Sequence, residues 1–452
     1  MRTVPSIMKD ILLVNPWIYD FTAYDFWLKP LGLLYIASIL RENTNCRIHF
    51  IDCLDRYHPL LWRKLKTKPD GRGPFPKEEV AKPEVLKNIP RRYSRYGIPV
   101  SLFQQELERL PRPETVLLTS SMTYWYPGVQ LAIELIRQKW GAVPVILGGI
   151  YATLAPEHAR RHSGADIVVQ GVGENTILPL MREILGDRCV RPREFKGLED
   201  MPFPAFNLLR NRVALPLLTS RGCPFRCSFC ATSLLYRNFE QRSPLSVISE
   251  IEMNVRQWGT KNLSFYDDAL LIGKQNHLVP LLERLADKKL RLTFHTPNGL
   301  HIREIDRELA CLFRKAGVQS LYLSQESFDE ELLKRACPKV TPQDLEKALD
   351  ILEAAGYRRQ EVNVYLIAGL PDQNLSLIRE SILRVRQLGA RPRLAFFSPV
   401  PGTADWSRVV DRGYLSADAD PLLHNKLTFA YLWGGISSQE FDSLRSLLRE
   451  ES

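Results

Sequence analysis

The sequence predicts an α/β protein built from two successive units, a doubly wound parallel sheet followed by a partial (β/α)6 TIM-like barrel. Short apolar runs alternate with helical segments over residues 8–186. The same alternation restarts at Pro216 and continues for six strand–helix pairs. A proline-containing stretch without this pattern separates the two series. Alternation of strands with helices is typical of parallel sheets, so each series is expected to form its own sheet.

The composition is that of a globular protein with a sizeable core. The chain has 452 residues, of which 45% are hydrophobic and 25% charged, and it is long enough for two to three domains. No apolar run approaches the length of a membrane helix, and the first residues lack the apolar core of a signal peptide. Eight cysteines, three of them in one loop, favour a reducing compartment over a disulfide scaffold. We therefore expect a cytoplasmic protein without a membrane span.

The net charge of +10 is concentrated in one segment. Between Arg56 and Arg95 there are twelve Lys and Arg residues but four Asp and Glu residues. Such a segment could contact an anionic partner such as nucleic acid, phosphate or a membrane surface, or could be a solvated insertion of mixed polarity. Because prolines interrupt it and no basic amphipathic helix emerges, we favour the solvated insertion and do not expect nucleic acid as a partner.

The first series predicts strands at 11–15, 47–52, 116–120, 144–149 and 166–171. Ligands of such sheets bind outside the carboxyl ends of the strands. Glycines there allow close backbone approach, and hydroxyl groups can bond a polar ligand. The candidate residues at these ends are Ser120, Ser121, Met122, Thr123, Gly148, Gly149, Tyr151, Gly171 and Glu174.

The second series predicts strands at 217–220, 262–268, 291–296, 320–327, 362–369 and 393–399. The chemistry of such barrels lies at the carboxyl ends of the strands. Each of these strands ends in polar or glycine residues, which is the pattern of a site built at one rim. The candidates are Asp267, Asp268, Asn298, Glu326, Ser327, Gly369, Pro401 and Gly402.

The first strand of this series leads into a loop that carries Cys223, Cys227 and Cys230 at the spacing C-x3-C-x2-C. One tight loop can aim three thiolates at a single iron–sulfur cluster, and a four-iron cluster usually takes four. Three ligands would leave one iron open to a small molecule. A zinc site and three free core thiols are the alternatives, but zinc sites usually supply four ligands in pairs, and no second pair follows.

The cysteine spacing, with Phe229 before the last cysteine, resembles the radical S-adenosylmethionine (radical SAM) superfamily. The resemblance implies a [4Fe-4S] cluster held by the three cysteines, with SAM bound at the open iron. It further implies that an electron from the cluster cleaves SAM to methionine and a 5′-deoxyadenosyl radical, which abstracts hydrogen from the substrate. An external electron donor such as flavodoxin or ferredoxin would supply the cluster.

The resemblance also assigns the strand ends to SAM. Asp267 and Asp268 would contact the methionine ammonium, although either could instead cap a helix. Glu326 and Ser327 would lie against the ribose and carboxylate, with Ser324 where the family usually has glycine. The other implied SAM contacts are Phe229, Asn298, Gly369, Pro401 and Gly402.

The first series resembles the cobalamin-binding domain that precedes the cluster domain in many radical SAM proteins. The matching stretches are 30–37, 120–123, 148–153 and 171–174. The resemblance implies cobalamin at the candidate residues of this sheet. However, no Asp-x-His-x-x-Gly motif follows the first strand, so no cobalt ligand can be named. The alternative is a domain that keeps the fold without a corrinoid.

Together these motifs predict a radical SAM enzyme that methylates an unactivated carbon of a small-molecule or biosynthetic-intermediate substrate. Without cobalamin, a radical rearrangement or cyclisation would be equally consistent. A methylthiotransferase is disfavoured because Cys46, Cys53 and Cys189 lie far apart in the sequence and no β-rich tail follows residue 410. A non-catalytic iron–sulfur or corrinoid sensor would not need the predicted SAM site.

The expected domains are a cobalamin-binding-like domain at 8–190 with a basic insertion at 56–112, a surface linker at 191–214, the barrel at 215–410 and a helical extension at 411–452. Two histidine interpretations stay open. His158 and His162 have metal-binding spacing without a third ligand nearby, and His295 is a candidate acid or base near the rim.

Overall fold

The computed structural model describes residues 8–61, 65–288, 290–433 and 436–449. The chain divides into two compact units. The first comprises residues 1–84, 91–212 and 420–422, and the second comprises 85–90, 213–419 and 423–452. Within the described ranges, no helix is long and apolar enough to cross a membrane.

The first unit is built on a five-stranded parallel sheet in the order β10-β9-β8-β1-β4. Its strands and helices are β1 (Lys9–Asn15), β2 (Ile18–Asp20), β3 (Tyr24–Asp25), α1 (Leu31–Asn43), β4 (Cys46–Asp52), β5 (Gly73–Pro74), β6 (Lys77–Glu79), β7 (Ser94–Tyr96), α2 (Val100–Glu108), β8 (Thr115–Leu118), α3 (Tyr126–Trp140), β9 (Val145–Leu147), α4 (Gly149–Leu154), α5 (Pro156–His162), β10 (Ile167–Val168) and α6 (Glu174–Leu185). The predicted doubly wound parallel sheet is confirmed.

The central strand of this sheet, β1, is buried from Ile11 to Val14 because it is covered on both faces. It pairs in parallel with β4 on one side and with β8 on the other. The carboxyl ends of β1, β8, β9 and β10 consequently lie along one edge of the sheet, and every predicted ligand segment of this unit follows one of these ends.

The basic segment is more folded than a solvated insertion. It contributes the short strands β5, β6 and β7 to two small antiparallel sheets. Arg56 is 1% exposed, and its Nε lies 3.1 Å from Asp25 Oδ2. The Arg72 guanidinium lies 4.6 Å from the ring centroid of Trp27. Part of the positive charge is therefore paired with groups of the same unit, in an ion pair and a cation–π contact. A count of charges along the sequence cannot reveal such pairing.

The stretch predicted to be a surface linker is also largely internal to the first unit up to Arg212. Phe195, Leu198 and Phe206 are buried. The Ser38 hydroxyl of α1 donates a hydrogen bond to Phe203 O at 2.7 Å. Arg191, Arg193 and Arg210 of the same stretch are exposed, so it runs along the surface of the unit while its apolar side chains pack inward.

Within the described residues, the second unit has seven parallel strands in two sheets, with the orders β11-β14-β15-β16 and β17-β18-β19. Together β16 and β17 occupy one of the six strand positions of the barrel. Its elements are β11 (Ala214–Leu217), β12 (Ser220–Arg221), α7 (Thr232–Leu235), β13 (Glu240–Gln241), α8 (Pro244–Trp258), β14 (Asn262–Phe265), α9 (Leu278–Asp287), β15 (Thr293–His295), α10 (Arg307–Ala316), β16 (Val318–Ser320), β17 (Tyr322–Glu326), α11 (Glu330–Ala336), α12 (Asp344–Ala354), β18 (Asn363–Ala368), α13 (Leu375–Gln387), β19 (Arg391–Phe396), α14 (Ala404–Asp411), α15 (Lys426–Leu432) and α16 (Ser438–Arg449).

The fourth predicted barrel strand is interrupted at Leu321, which separates β16 from β17. Beyond this break, Leu300 in the chain after β15 forms a parallel bridge with Leu323 of β17. The partial barrel predicted from the sequence is therefore confirmed, with one strand split in two. After the barrel, α16 packs on the same unit, and Phe441 stacks on Phe396 of β19 with ring centroids 4.6 Å apart.

Candidate functional site

The three cysteines lie on a loop that is closed by a short antiparallel pair. Ser220 and Arg221 of β12 pair with Gln241 and Glu240 of β13. Gly222 starts the loop with φ +84°, and a Cβ there would lie 2.4 Å from the Asn238 carbonyl oxygen. A glycine is thus required where the chain turns toward Cys223.

Ser228, inside the loop, connects it to two helices. Its backbone N–H donates to Ala336 O at the end of α11, at 2.9 Å. Its hydroxyl donates to the buried carboxylate of Asp405 in α14, at 2.5 Å. The Asp405 N–H in turn donates to Ser228 O at 3.0 Å. These hydrogen bonds fix the loop between Cys227 and Cys230 before any ligand is bound.

Cys223, Cys227 and Cys230 are all free thiols and half-buried. Burial raises the pKa of the Cys223 thiol. The pKa of Cys227 is lowered, first because its sulfur is hydrogen-bonded by Cys337, which lies 3.6 Å away. Thiolates are the ligands of iron–sulfur clusters, so three free cysteines on one anchored loop fit such a cluster. In the part of the chain that the structure describes, no three His, Cys, Asp or Glu side chains converge as a site for a single metal ion.

The two carboxylates after β14 differ in their surroundings. Asp267 is buried, and its oxygens accept hydrogen bonds from the backbone and hydroxyl groups of both Thr219 and Ser220. It therefore anchors the segment that leads into the cysteine loop. Asp268 is exposed and is hydrogen-bonded by the Gly222 N–H and the Thr232 side chain. Of the predicted pair, only Asp268 faces outward beside the loop.

The remaining rim residues lie at the carboxyl ends of their strands. Asn298 donates from Nδ2 to Tyr266 O at 3.0 Å, which links the ends of β15 and β14. Glu326, at the end of β17, is buried and has φ +64°. Such a conformation is costly for a non-glycine residue and is enriched at functional sites. Burial raises the pKa of the Glu326 carboxyl.

Ser327, Gly369 and Gly402 complete the predicted rim. Ser327 is buried, and its hydroxyl accepts a hydrogen bond from the Asp329 N–H at 3.1 Å. Gly369 and Gly402 follow β18 and β19 with φ +86° and +84°. Pro401 precedes Gly402 in the turn before α14. Phe229 packs against an apolar cluster that includes Leu332 and Trp406.

Two further residues at this rim were not given a role from the sequence. Burial acts to lower the pKa of Lys339, but the negative charges of Glu326 and the nearby cysteines outweigh it, so the pKa of Lys339 is raised. His301 stacks on Phe225 of the cysteine loop at 4.4 Å. Burial, together with the charges of Lys339 and Arg303, lowers the pKa of His301 to about 4. His301 was expected near the rim from its position after the third barrel strand, but Lys339 follows no strand end, so the sequence pattern gave no signal for it.

His295 is not placed as an acid or base. Its ring is buried and hydrogen-bonded on both sides, at 2.9 Å to Ser320 Oγ and at 3.0 Å to Asn262 Oδ1. It therefore connects three neighbouring strands instead of facing the rim.

In the first unit, the candidate residues surround the carboxyl edge of the sheet. A small crevice between β1 and β8 is lined by Asn15, Trp17, Lys29, Ser120 and Ser121. A Cβ on Gly148 or Gly171 would meet no atom within 4 Å. Met122 and Val172 expose apolar surface beside these glycines, at 39% and 42%. An open, glycine-lined edge with apolar and hydroxyl groups fits a large ring with polar side groups, and corrinoids have this character.

Not every predicted residue of this edge is accessible. Thr123 and Tyr151 are buried. The Tyr151 hydroxyl is hydrogen-bonded to His158 Nδ1 at 2.7 Å, and its ring stacks on Tyr126. Tyr151 therefore supports the edge from inside. His162 lies next to His158, with ring centroids 4.5 Å apart. Gly149 has φ +87°, and Glu174 begins α6.

Comparison with known proteins agrees with both units. The family model of the radical SAM superfamily matches residues 217–385. The B12 binding domain matches residues 97–180. The class defined by the fold and the cysteine loop is thus an iron–sulfur, SAM-dependent radical enzyme with a corrinoid domain. Residues 217–385 thus form a radical SAM domain, and residues 97–180 before it belong to a B12-binding domain.

The relatives have low sequence identity to this chain, but the matches extend over more than half of it. The uncharacterised methyltransferase PH0819 of Pyrococcus horikoshii is 23% identical over 85% of this chain and 79% of its own length. The anaerobic magnesium-protoporphyrin IX monomethyl ester cyclase of Rubrivivax gelatinosus is 25% identical over 56% of this chain and 51% of its own length. The structure of the methyltransferase TsrM from Kitasatospora setae, with cobalamin and a [4Fe-4S] cluster bound, has a TM-score of 0.65 at 17% identity, covering 90% of this chain and 75% of TsrM. The TsrM likeness establishes a shared fold.

Proposed function

We propose that this radical SAM enzyme methylates an unactivated carbon of a small-molecule substrate, with a [4Fe-4S] cluster, SAM and cobalamin as cofactors. The observation that carries the proposal is the joint presence of an anchored three-cysteine loop and a B12-binding domain in one chain. When bound, the cluster supplies one electron for SAM cleavage, and the corrinoid supplies methyl-transfer chemistry.

The residues of the second unit would hold and orient the first two cofactors. Cys223, Cys227 and Cys230 are the proposed cluster ligands. Asp268, outward-facing beside the loop, would bind the methionine ammonium as a charge-assisted hydrogen-bond acceptor. The buried Glu326, with its left-handed backbone, would present its carboxylate to the ribose, and the glycines after β18 and β19 leave room for the adenine. The stacked rings of Phe225 and His301 would keep water from one side of the loop.

In the first unit, the edge beyond β1, β8, β9 and β10 would receive the corrinoid. Ser120, Ser121, Gly148, Gly149 and Gly171 would contact it. The other proposed positions are Met122, Thr123, Tyr151 and Glu174. Thr123 and Tyr151 are buried, so they would support the edge from inside the unit.

Electrons would come from an external one-electron carrier such as flavodoxin or ferredoxin. All eight cysteines are free thiols, and this fits a reducing compartment. A cytoplasmic location is therefore part of the proposal.

The direct test is anaerobic reconstitution with iron, sulfide and hydroxocobalamin, followed by desalting and metal analysis. We expect about four irons and about one cobalt per chain. Incubation with a strong chemical reductant, which brings the corrinoid to its nucleophilic state, and SAM carrying a labelled methyl group should then transfer label to the corrinoid and release 5′-deoxyadenosine. A chain with all three loop cysteines changed to Ala should hold no cluster, whereas Cys311→Ala, on α10, should behave as wild type. A folded wild-type protein that holds no iron would refute the proposal.

A cyclase is the second candidate, since the Rubrivivax cyclase is a relative. The two outcomes differ in the fate of the methyl group. A methyltransferase transfers the labelled methyl group to the corrinoid and then to the substrate. A cyclase leaves the label on the methionine that SAM cleavage releases, so neither the corrinoid nor the substrate is labelled. Iron and cobalt at the expected content without label transfer would favour the cyclase.

A further inference from the structure

A fourth cysteine lies beside the cluster loop although it is far away in the sequence. Cys337 directly follows α11 and is 1% exposed. Its Sγ lies 3.6 Å from Sγ of Cys227, 110 residues earlier in the chain. The neighbouring backbone hydrogen bond from Ser228 to Ala336 holds the two segments together. The contact is thus part of the anchored structure of the loop.

The direction of this hydrogen bond follows from the proposed role of Cys227. A cysteine that ligates iron is a thiolate and has no proton to donate. Cys337 lies outside the loop, so it keeps its proton and points it at the thiolate. The contact is then an S–H···S hydrogen bond in which Cys337 donates and Cys227 accepts.

The distance argues against Cys337 as a fourth ligand. Two sulfurs that bind different irons must be separated by the width of the cluster itself, whereas these two are in direct contact. Ligation by Cys337 would also occupy the iron that SAM needs. The geometry leaves Cys337 as a neighbour of a ligand.

We propose that Cys337 is a positioning residue that raises the reduction potential of the cluster by donating a hydrogen bond to the Cys227 sulfur. The inference rests on the proposed function, because it requires the cluster. Reduction adds negative charge to the irons and their sulfurs, and a donor to a ligand sulfur stabilises the reduced state more than the oxidised one. The nearby Lys339 cation acts in the same direction.

The test compares four proteins reconstituted anaerobically: wild type, Cys337→Ala, Cys337→Ser and Cys311→Ala. Iron per chain is measured first. The midpoint potential of the cluster is then determined without SAM by a redox titration followed by electron paramagnetic resonance. We expect all four proteins to hold equal iron. Cys337→Ala should titrate at a more negative potential, Cys337→Ser should lie closer to wild type because its hydroxyl still donates, and Cys311→Ala should match wild type.

Other results have distinct meanings. Loss of iron in folded Cys337→Ala would make Cys337 a ligand and would overturn the inference. An unchanged potential in both Cys337 variants would overturn it as well. If Cys337→Ala failed to fold, Cys337→Val would decide, because it also lacks a donor but fills more of the buried site: a negative shift of the potential is expected, and an unchanged or positive potential would overturn the inference. Absence of iron from the wild type would instead refute the proposed function.

Discussion

At the residue scale, the adjacent carboxylates Asp267 and Asp268 are expected to have separable roles. Asp268→Asn should weaken SAM binding about tenfold or more, or about 1.4 kcal/mol, with the iron content unchanged, because the outward carboxylate loses its charge. Asp267→Asn should instead lower the free energy of unfolding by about 2–3 kcal/mol, because an amide cannot accept every donor of Thr219 and Ser220. Equilibrium SAM binding and urea unfolding measure the two effects. Equal loss of SAM binding without loss of stability in both variants would contradict this division.

Asp52, at the end of β4, gives a prediction about pH. Burial, with a contribution from the charge of Asp55, raises the pKa of Asp52 to about 6. A carboxyl with a raised pKa in the folded state stabilises the protein below its unfolded pKa, and this stability is lost as the pH rises through about 6. Asp52→Asn cannot ionise and keeps an acceptor for Asn15, which donates at 2.7 Å.

The Asp52→Asn variant should therefore gain stability over wild type at pH 8 and little at pH 3, which is below the unfolded pKa of an aspartate. Allowing for the partial exposure of the side chain, the gain at pH 8 should be about 1–2 kcal/mol. Urea unfolding of both proteins at the two pH values measures it. The same difference at both pH values would mean that the ionisation of Asp52 is not its cause.

At the element scale, the end of β15 and the middle of β17 are fitted to each other. A Cβ on Gly299 would lie 1.9 Å from Ser324 Oγ and 3.2 Å from Tyr365 Cδ2. Ser324 stands where the family usually has glycine, and Gly299 provides the space that the extra hydroxyl needs. Gly299→Ala should therefore destabilise the protein by about 1–3 kcal/mol.

The double variant Gly299→Ala, Ser324→Gly should recover part of that loss, because the clashing hydroxyl is removed. Thermal unfolding of the two single variants and the double variant forms a double-mutant cycle. Additive losses would show that the two positions do not compete for the same space.

The loop anchor at Ser228 makes a second prediction at this scale. Ser228→Ala removes the hydrogen bond to Asp405 and should cost about 1–3 kcal/mol, since the acceptor is a buried carboxylate. Iron should be lost several-fold faster to a chelator, because the loop is held less firmly. Ser249→Ala, an exposed serine on α8, is the matched control. An unchanged rate of iron loss would mean that the anchor does not hold the cluster loop.

The strand positions were predictable because each strand is an apolar run that ends in polar or glycine residues. This local pattern located the five strands of the first sheet and five of the six barrel strands. The first barrel strand, predicted at 217–220, is β11 at Ala214–Leu217 and shares only Leu217 with the prediction. The short strands β2, β3, β5, β6 and β7 have two or three residues and carry no period. The internal role of Asp267 and the contact of Cys337 with Cys227 depend on partners 47 to 110 residues away. Contacts of this kind leave no trace in a local pattern.

At the scale of the whole molecule, each unit has its own core and its own candidate cofactor. We expect cobalt and iron to be lost separately. A chain with Cys223, Cys227 and Cys230 changed to Ala should lose its iron and keep about one cobalt. Gly148→Leu should keep about four irons and lose cobalt, because Gly148 has extended backbone and open space where the new side chain would occupy the ligand edge.

Metal analysis after reconstitution measures both contents in both variants. Thermal unfolding verifies that Gly148→Leu is folded. Retention of cobalt by folded Gly148→Leu would exclude this edge as the corrinoid site.

The anchoring of Ser228 by Asp405 has a consequence for the order of events during synthesis. The two residues are 177 positions apart. A ribosome adding about 5–20 residues per second needs on the order of ten seconds or more to make the intervening chain. Throughout that interval the three cysteines have been synthesised, but the hydrogen bond from Ser228 to Asp405 cannot yet form. Delivery of iron and sulfide would therefore come after translation has passed α14, and a nascent chain stalled before that helix should be a poor acceptor for a cluster.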